Sequence, residues 1–304
     1  MIIPSFAGPV YNIVSSFLES RPEWRNFQAG ALSRKDFGRL LDSLASQLVH
    51  AGLPADDVHF AKRYPRSETI FVDEALRSLV MKGILPSFAY NTGFYLEVAA
   101  DMRVHHEHGA FATYIYPEEA RLLFAVADIL KPRTAIFLGS YYGYWAHAAI
   151  MTICASGGRV VLVDPDETAQ AVAQKNIARA GVAHAVEVAI TTGEAFLQRN
   201  DSRFDFVVLD AEGPRNHPDP WQRGKTVYSS LLQAVLPQME PGACLVCHNI
   251  LFQDICDCRF FDRIIARNNY ELGAFLKLVA KEFPDFTEIT STEGVGVGTR
   301  KAAA

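Results

Sequence analysis

The stretch Thr134 to Ile150, TAIFLGSYYGYWAHAAI, limits the fold more than any other part of this chain. Ala135 to Leu138 is a short apolar run that reads as a buried strand. Gly139 and Gly143 then punctuate a tight turn, and Tyr144 onward reads as a helix start. A strand, a glycine turn and a helix N-terminus are how open α/β sheets receive a nucleotide-like ligand. The glycines are expected to let the backbone approach that ligand, since no Cβ intervenes. The turn lacks the Lys-Ser/Thr of a phosphate loop and the three-glycine spacing of a dinucleotide site. A plain glycine turn between strand and helix is the alternative.

The same pattern recurs on either side of this stretch. Glu118 to Leu130 is an amphipathic helix with Ala120, Leu123, Phe124, Ala127 and Leu130 on one face. After the first strand and its helix, further strands are expected at Arg159–Val163, Val186–Ile190, Phe204–Leu209 and Ala243–Cys247. Helices over Glu167–Ala180 and Ser229–Met239 separate them, the second stopped by Pro241-Gly242. Strand and helix alternating at this spacing predict a Rossmann-like, doubly wound, mostly parallel α/β sheet. Upstream, Asp36–Leu53 and Thr69–Lys82 carry helical spacing, and Leu85–Met102 is rich in aromatic residues. The expected organisation is a helical region over 1–112 and a catalytic α/β domain over 113–304.

Composition narrows the function. A net charge of −5 gives no basic footprint for nucleic acid. No apolar run reaches the ~18 residues of a membrane helix. The opening MIIPSFAGPVYNIVSSFL has no positive leader region and reads as an amphipathic segment. A cytoplasmic protein with its five cysteines reduced is therefore expected.

The polar residues fall at the predicted strand ends: Gly139 to Gly143, Asp164, Gly193-Glu194, Asp210 and His248-Asn249. Ligands of such sheets sit beyond those ends. Asp164, about 20 residues after the glycine turn, is placed to accept hydrogen bonds from ribose hydroxyls. Two other patterns carry less. His105 and His108 in VHHEH invite a metal reading or a substrate-facing loop. Cys244-Leu-Val-Cys247-His248 fits a haem attachment pattern, with Cys256 and Cys258 close by. On a strand, however, residues three apart point to opposite faces. Buried apolar cysteines are the expectation.

Together these segments resemble the class I S-adenosylmethionine-dependent methyltransferases of the catechol and caffeoyl-CoA O-methyltransferase type. The resemblance rests on GSYYGYW (139–145), VVLVDPD (160–166), NIARAGVAH (176–184), FDFVVLDAE (204–212) and PGACLVCHNIL (241–251). Asn269 and the tail from Glu293 to Lys301 resemble that family's last hairpin. It covers about residues 115 to 301, close to two thirds of the chain. It implies S-adenosylmethionine as cofactor, with Gly139, Ser140, Tyr141 and Gly143 under its methionine part. Asp164 would hold the ribose, Gly193 and Glu194 would lie beside the adenine, and Asp210 would close the site. It also implies a magnesium ion on Asp210 and the pair after the fifth strand, drawing in two acceptor oxygens.

Three departures qualify this. His248 stands where the family has Asp, beside a matching Asn249. Imidazole suits softer metals than magnesium, so a transition metal or no metal becomes an alternative. The family's Asp-Ala-Asp-Lys is Asp210-Ala211-Glu212-Gly213 here, with Arg215 and Lys225 in a longer, proline-rich loop. Phe137 replaces a Glu before the glycine turn. His248 is accordingly expected to be a general base oriented by Asp210 or Asn249. A metal ligand and a structural residue are the alternatives. The expected reaction is methyl transfer to a small molecule, with oxygen favoured over nitrogen or carbon. The acceptor would be aromatic or of natural-product type, walled by Phe88, Tyr90, Tyr114, Tyr116 and Trp221. A binding protein that has lost turnover is the rival. The helical region is expected to cap the acceptor site or form a homodimer interface.

Overall fold

The strands expected from the sequence form one seven-stranded sheet in a computed structural model that describes residues 8–301. The first seven residues of the amphipathic opening segment lie outside the described residues. Seven helices come first: α1 (Gly8–Leu18), α2 (Pro22–Gln28), α3 (Arg34–Ser43), α4 (Ala45–His50), α5 (Asp57–Ala61), α6 (Glu68–Met81) and α7 (Thr92–His105). Then α8 (Pro117–Leu130) leads into β1 (Thr134–Leu138), α9 (Tyr144–Ala155), β2 (Arg159–Asp164), α10 (Glu167–Arg179) and β3 (Val186–Ile190). The second half comprises α11 (Gly193–Arg199), β4 (Phe204–Leu209), α12 (Val227–Val235), β5 (Met239–His248), α13 (Arg259–Glu271), α14 (Gly273–Glu282), β6 (Thr287–Ile289) and β7 (Val295–Thr299).

The strand order is β3-β2-β1-β4-β5-β7-β6, parallel through β5, with β7 antiparallel to both its neighbours. This is the Rossmann-like α/β architecture. The order reverses between β1 and β4, and such a reversal opens a crevice at the carboxyl ends of the strands. Both sheet faces are covered, so the central strands are apolar throughout rather than alternating. In β1, Ala135 and Phe137 enter one core while Ile136 and Leu138 enter the other. The first core is roofed by residues of α6 to α10, the second by α11, α12 and α14. Tyr116 and residues of α1 to α5 form a separate cluster. The helices before residue 112 therefore pack in two groups, since α6 and α7 belong to the core of the sheet.

Two local expectations change, and one holds. The helix expected over Asp36–Leu53 is two helices broken at Leu44, whose φ of −101° and ψ of 5° interrupt the hydrogen-bond ladder. Pro241-Gly242 does not precede the fifth strand but lies inside it, where the pairing register with β4 shifts between Phe204 and Phe206. Gly242 takes a φ of +79° there, a bulge that a glycine accommodates. Cys244 and Cys247 of β5 enter opposite cores, which separates the thiols of the haem-like pattern.

Candidate active site

The loop after β1 is built on β2. The amides of Gly139 and Ser140 donate to the carbonyl of Val163 at 3.0 and 3.1 Å. Gly139 and Gly143 have φ of +81° and +78°, and Tyr141 is held at +50°, where a bulky residue is rarely found. Two side chains hold Tyr141 in that conformation. Its N–H donates to Asp164 Oδ2 at 2.9 Å, and Gln170 Nε2 donates to its carbonyl at 3.2 Å and to Ser140 Oγ at 2.7 Å. The other oxygen of Asp164 accepts the Asp166 N–H at 3.0 Å. Burial raises the Asp164 pKa against these two backbone bonds.

The glycines do something other than expected. A Cβ on Gly139 would lie 2.3 Å from Cα of Ala211, and one on Gly143 would meet Ala173 at 3.3 Å. Their missing side chains make room for the loop after β4 and for α10. The turn is thus a packing device at the switch point before it is a ligand cradle.

A cavity of about 690 Å³ opens beyond the strand ends. Gly139, Tyr141, Asp164, Gly193, Glu194, Asp210, His248 and Asn249 all line it. Ser140 lies instead on a small void with Phe137 and Trp145, and Gly143 lines neither. Apart from Tyr114, the sequence reading missed the wall formed by Ala112 to Ile115 and by Glu212, Pro214, His217, Gln222 and Lys225, which lie on connecting segments without periodicity. Glu194 is already engaged, accepting from Gln222 Nε2 at 3.0 Å and Ser230 Oγ at 2.6 Å. Of the five proposed aromatic walls, Tyr114 lines the cavity. Phe88 stacks under Arg77, Tyr90 meets Arg121, Tyr116 is buried among the N-terminal helices, and Trp221 is exposed outside the lining. Neither His105 nor His108 joins the site. His105 is exposed near Asp101, and His108 Nδ1 is 3.1 Å from the Tyr142 hydroxyl. The buried histidine of that run is His106, whose pKa burial lowers to about 3.

Where β4 and β5 end, the side chains form a chain of alternating charge. His248 is 1% exposed. Its Nδ1 is 3.2 Å from Asp210 Oδ1 and its Nε2 3.1 Å from Glu119 Oε2. Burial alone would lower its pKa, but Asp210 and Glu119 outweigh that and raise it to about 9. Trp145 covers the ring with centroids 4.7 Å apart. Glu119, in the first turn of α8, also accepts from the backbone of Tyr116 and Glu293 and from Ser291 Oγ. Glu118 beside it is wholly buried, and burial together with Glu119 raises its pKa to about 7. Arg34 lies 4.0 Å from Glu118, and Arg63 pairs with Glu293.

These contacts bear on the role expected for His248. A general base needs an unprotonated nitrogen facing its substrate, whereas Nδ1 here faces the half-buried Asp210 and Nε2 the buried Glu119, each within hydrogen-bond distance. The metal set Asp210, His248 and Asn249 fares no better. Both ring nitrogens of His248 already face carboxylates. Asn249 Oδ1 accepts from Lys225 Nζ at 2.9 Å, and the same ammonium is 3.6 Å from Asp210 Oδ1. Among the described residues no group of three His, Cys, Asp or Glu side chains is placed to hold a metal. The residues present do not fit magnesium. Asn268, fully buried, ties the chain after β5 through bonds to the carbonyls of Asn249 and Leu251, whereas Asn269 is exposed.

Comparison with known proteins agrees with this architecture. Residues 116–250 match the model of a methyltransferase domain. A catechol O-methyltransferase from Niastella koreensis is 27% identical over 154 residues, which are 48% of this chain and 62% of that protein. The aligned segment thus spans about three fifths of that relative's length. Two solved structures share the fold. An O-methyltransferase from Bacillus cereus in complex with SAH is 20% identical, covering 69% of this chain and 92% of its own, with a TM-score of 0.50. An SAH-bound methyltransferase from Podospora anserina is 15% identical, covering 79% and 98%, with a TM-score of 0.54.

Proposed function

On the premise that residues 116–250 are a class I methyltransferase domain, we propose that this protein transfers a methyl group from S-adenosylmethionine to an oxygen of a small molecule. One observation carries the reading. A cavity of about 690 Å³, within the range of small-ligand sites, is lined by Asp164, Glu194 and Asp210 at or just beyond the ends of three parallel strands. The chemistry of these groups fits the cofactor. Each oxygen of Asp164 takes one backbone N–H and keeps a lone pair for a ribose hydroxyl. The two SAH-bound structures of the same fold and the catechol O-methyltransferase relative support the same assignment.

When bound, the cofactor supplies an electrophilic methyl on a sulfonium, so the S–CH₃ bond breaks as the O–CH₃ bond forms. The protein's part is to hold donor and acceptor in line and to take the acceptor's proton. Asp210 is the residue for that proton. Its Oδ1 faces His248 and Lys225, and its Oδ2 receives no hydrogen bond from the described residues. Its side chain lines the cavity. His248 positions Asp210 instead of acting on substrate. Arg34 and Arg63 meet Glu118 and Glu293 behind it, so the N-terminal helical region buttresses this site.

Calorimetric titration with S-adenosylhomocysteine tests the cofactor assignment. One saturable site is expected, with affinity falling at least ~10-fold in Asp164→Ala, the loss of two hydrogen bonds to a charged group. No binding to the wild type would end this reading.

A further inference from the structure

We propose that the ammonium of Lys225 is the resident cation at the carboxyl ends of β4 and β5, standing where a divalent metal would otherwise sit. Asp210, Ala211 and Asn249 would then take no metal, and the positive charge at these strand ends would be a fixed one of the protein, set behind the acceptor site. The part concerning the acceptor rests on the methyl-transfer reading above; the part concerning the cation does not.

The contacts identify the group. Lys225 is 1% exposed. Its Nζ is 2.9 Å from Asn249 Oδ1, 3.0 Å from the Ala211 carbonyl, 3.3 Å from the Tyr228 hydroxyl and 3.6 Å from Asp210 Oδ1. Tyr228 spends its own proton on the main chain, with the carbonyls of His248 at 2.9 Å and Leu209 at 3.1 Å. Every atom around Nζ is therefore an acceptor, which is the surrounding a three-proton ammonium needs. Three of these oxygens come from the residues expected to ligate magnesium or their immediate neighbours. Magnesium would need them at about 2.0–2.1 Å in an octahedron. That cannot be met around a point already filled by Nζ.

The chain is built to bring Lys225 there. Gly213 and Gly224 pair across the neck of the loop after β4, exchanging N–H···O bonds of 2.9 and 3.0 Å. That closure returns residue 225 to the strand end it left at Ala211. Glu271 of α13 fixes the return by accepting the Lys225 N–H at 2.6 Å. A Cβ on Gly224 would lie 2.5 Å from the same carboxylate. The lysine absent from position 213 is thus restored from twelve residues further on, beside the same Asp210 oxygen that His248 faces.

These contacts limit what the ammonium can do. Lys225 has its three protons placed on Asn249, Ala211 and Tyr228, so it is a positioning residue and not a catalytic one. It also has no open coordination positions, so it cannot draw in two oxygens of one acceptor. The acceptor class is then a compound presenting a single reactive hydroxyl, with no requirement for a vicinal pair.

Mn²⁺ is the probe, read by the electron paramagnetic resonance of the free aqueous ion on the full chain. The wild type is expected to withdraw no Mn²⁺ from solution. Lys225→Ala is expected to gain a saturable site, binding at least ~10-fold more tightly than the wild type because the ammonium no longer repels the ion. Asp210→Asn added to that variant is expected to remove the site again. A wild-type site that disappears in Asp210→Asn would overturn the proposal. So would a folded Lys225→Ala protein that binds no more Mn²⁺ than the wild type. Should the alanine variant fail to fold, Lys225→Ser is read in the same way. S-adenosylhomocysteine binding is measured on the same samples. Its absence would remove the methyl-transfer reading and leave the Mn²⁺ result standing.

Discussion

Replacing His248 by Gln tests whether this ring is a buried cation or an available base. The amide of Gln can donate to Asp210 or to Glu119 but carries no charge for either. In the wild type the ring lies between them at 3.2 and 3.1 Å, and its pKa is raised to about 9. At about 1.4 kcal/mol per pKa unit, the rise from an ordinary value near 6.5 corresponds to roughly 3 kcal/mol of folding stability. The folded-state pKa is the higher one. The contribution is therefore fully present below about pH 6.5 and is lost as pH rises through about 9. Urea unfolding of both proteins, run below, within and above that window, reads the difference directly. At the acid end the variant should be less stable by roughly 3–5 kcal/mol, the usual cost of breaking a buried ion pair. The gap should narrow by roughly 3 kcal/mol toward the alkaline end. Groups shared by the two proteins cancel in the comparison. A gap that stays constant across the window would mean that the ring is neutral in the fold. His248 would then again be free to act as a base.

Gly139→Ala should lower stability by at least ~2 kcal/mol, from a positive φ combined with a Cβ placed 2.3 Å from Ala211; thermal unfolding checks this, and an unchanged midpoint would show that the turn can relax. Gln170→Ala removes both bonds that hold Ser140 and Tyr141, so S-adenosylhomocysteine affinity should fall by about 3- to 10-fold while the fold survives. Full affinity in calorimetry would mean that the Asp164 bond alone holds Tyr141 in place.

How far the sequence reached depends on which interactions are local. The parallel strands were legible because both sheet faces are covered, which makes each central strand a short continuous apolar run ending in a turn residue. Asp164 and Glu194 stood out for the same reason, as acids at or shortly after the ends of those runs. Gly193, expected after a strand and beside the adenine, opens α11 with Thr192 as its N-cap, a helix the sequence did not announce. The passage of β5 through Pro241-Gly242 was hidden because a bulge and a helix stop share the same two residue types. The role of Gly139 was hidden too. What its missing Cβ admits is Ala211, 72 residues along the chain, and no local pattern reports that approach.

The charge network explains why His248 could be noticed but not understood from the sequence. Its departure from a carboxylate was visible at one position, whereas its partner Glu119 lies 129 residues earlier. Consider a carboxylate at 248 in this structure. It would stand beside Asp210 and Glu119 with no proton to share at neutral pH, and three buried carboxylates within hydrogen-bonding reach would repel one another. A magnesium ion could offset two of those charges, but Glu119 already takes a backbone N–H from Tyr116 and from Glu293 and a hydroxyl from Ser291. It is committed to joining α8 to the turn before β7, so it is not free to turn toward a metal. An imidazolium at 248 satisfies Glu119 and Asp210 together, and Lys225 supplies the second positive charge beside the same Asp210 oxygen. Two anions then face two cations with no ion recruited from solution. The histidine at 248 and the lysine brought back by the loop thus share one anion, Asp210.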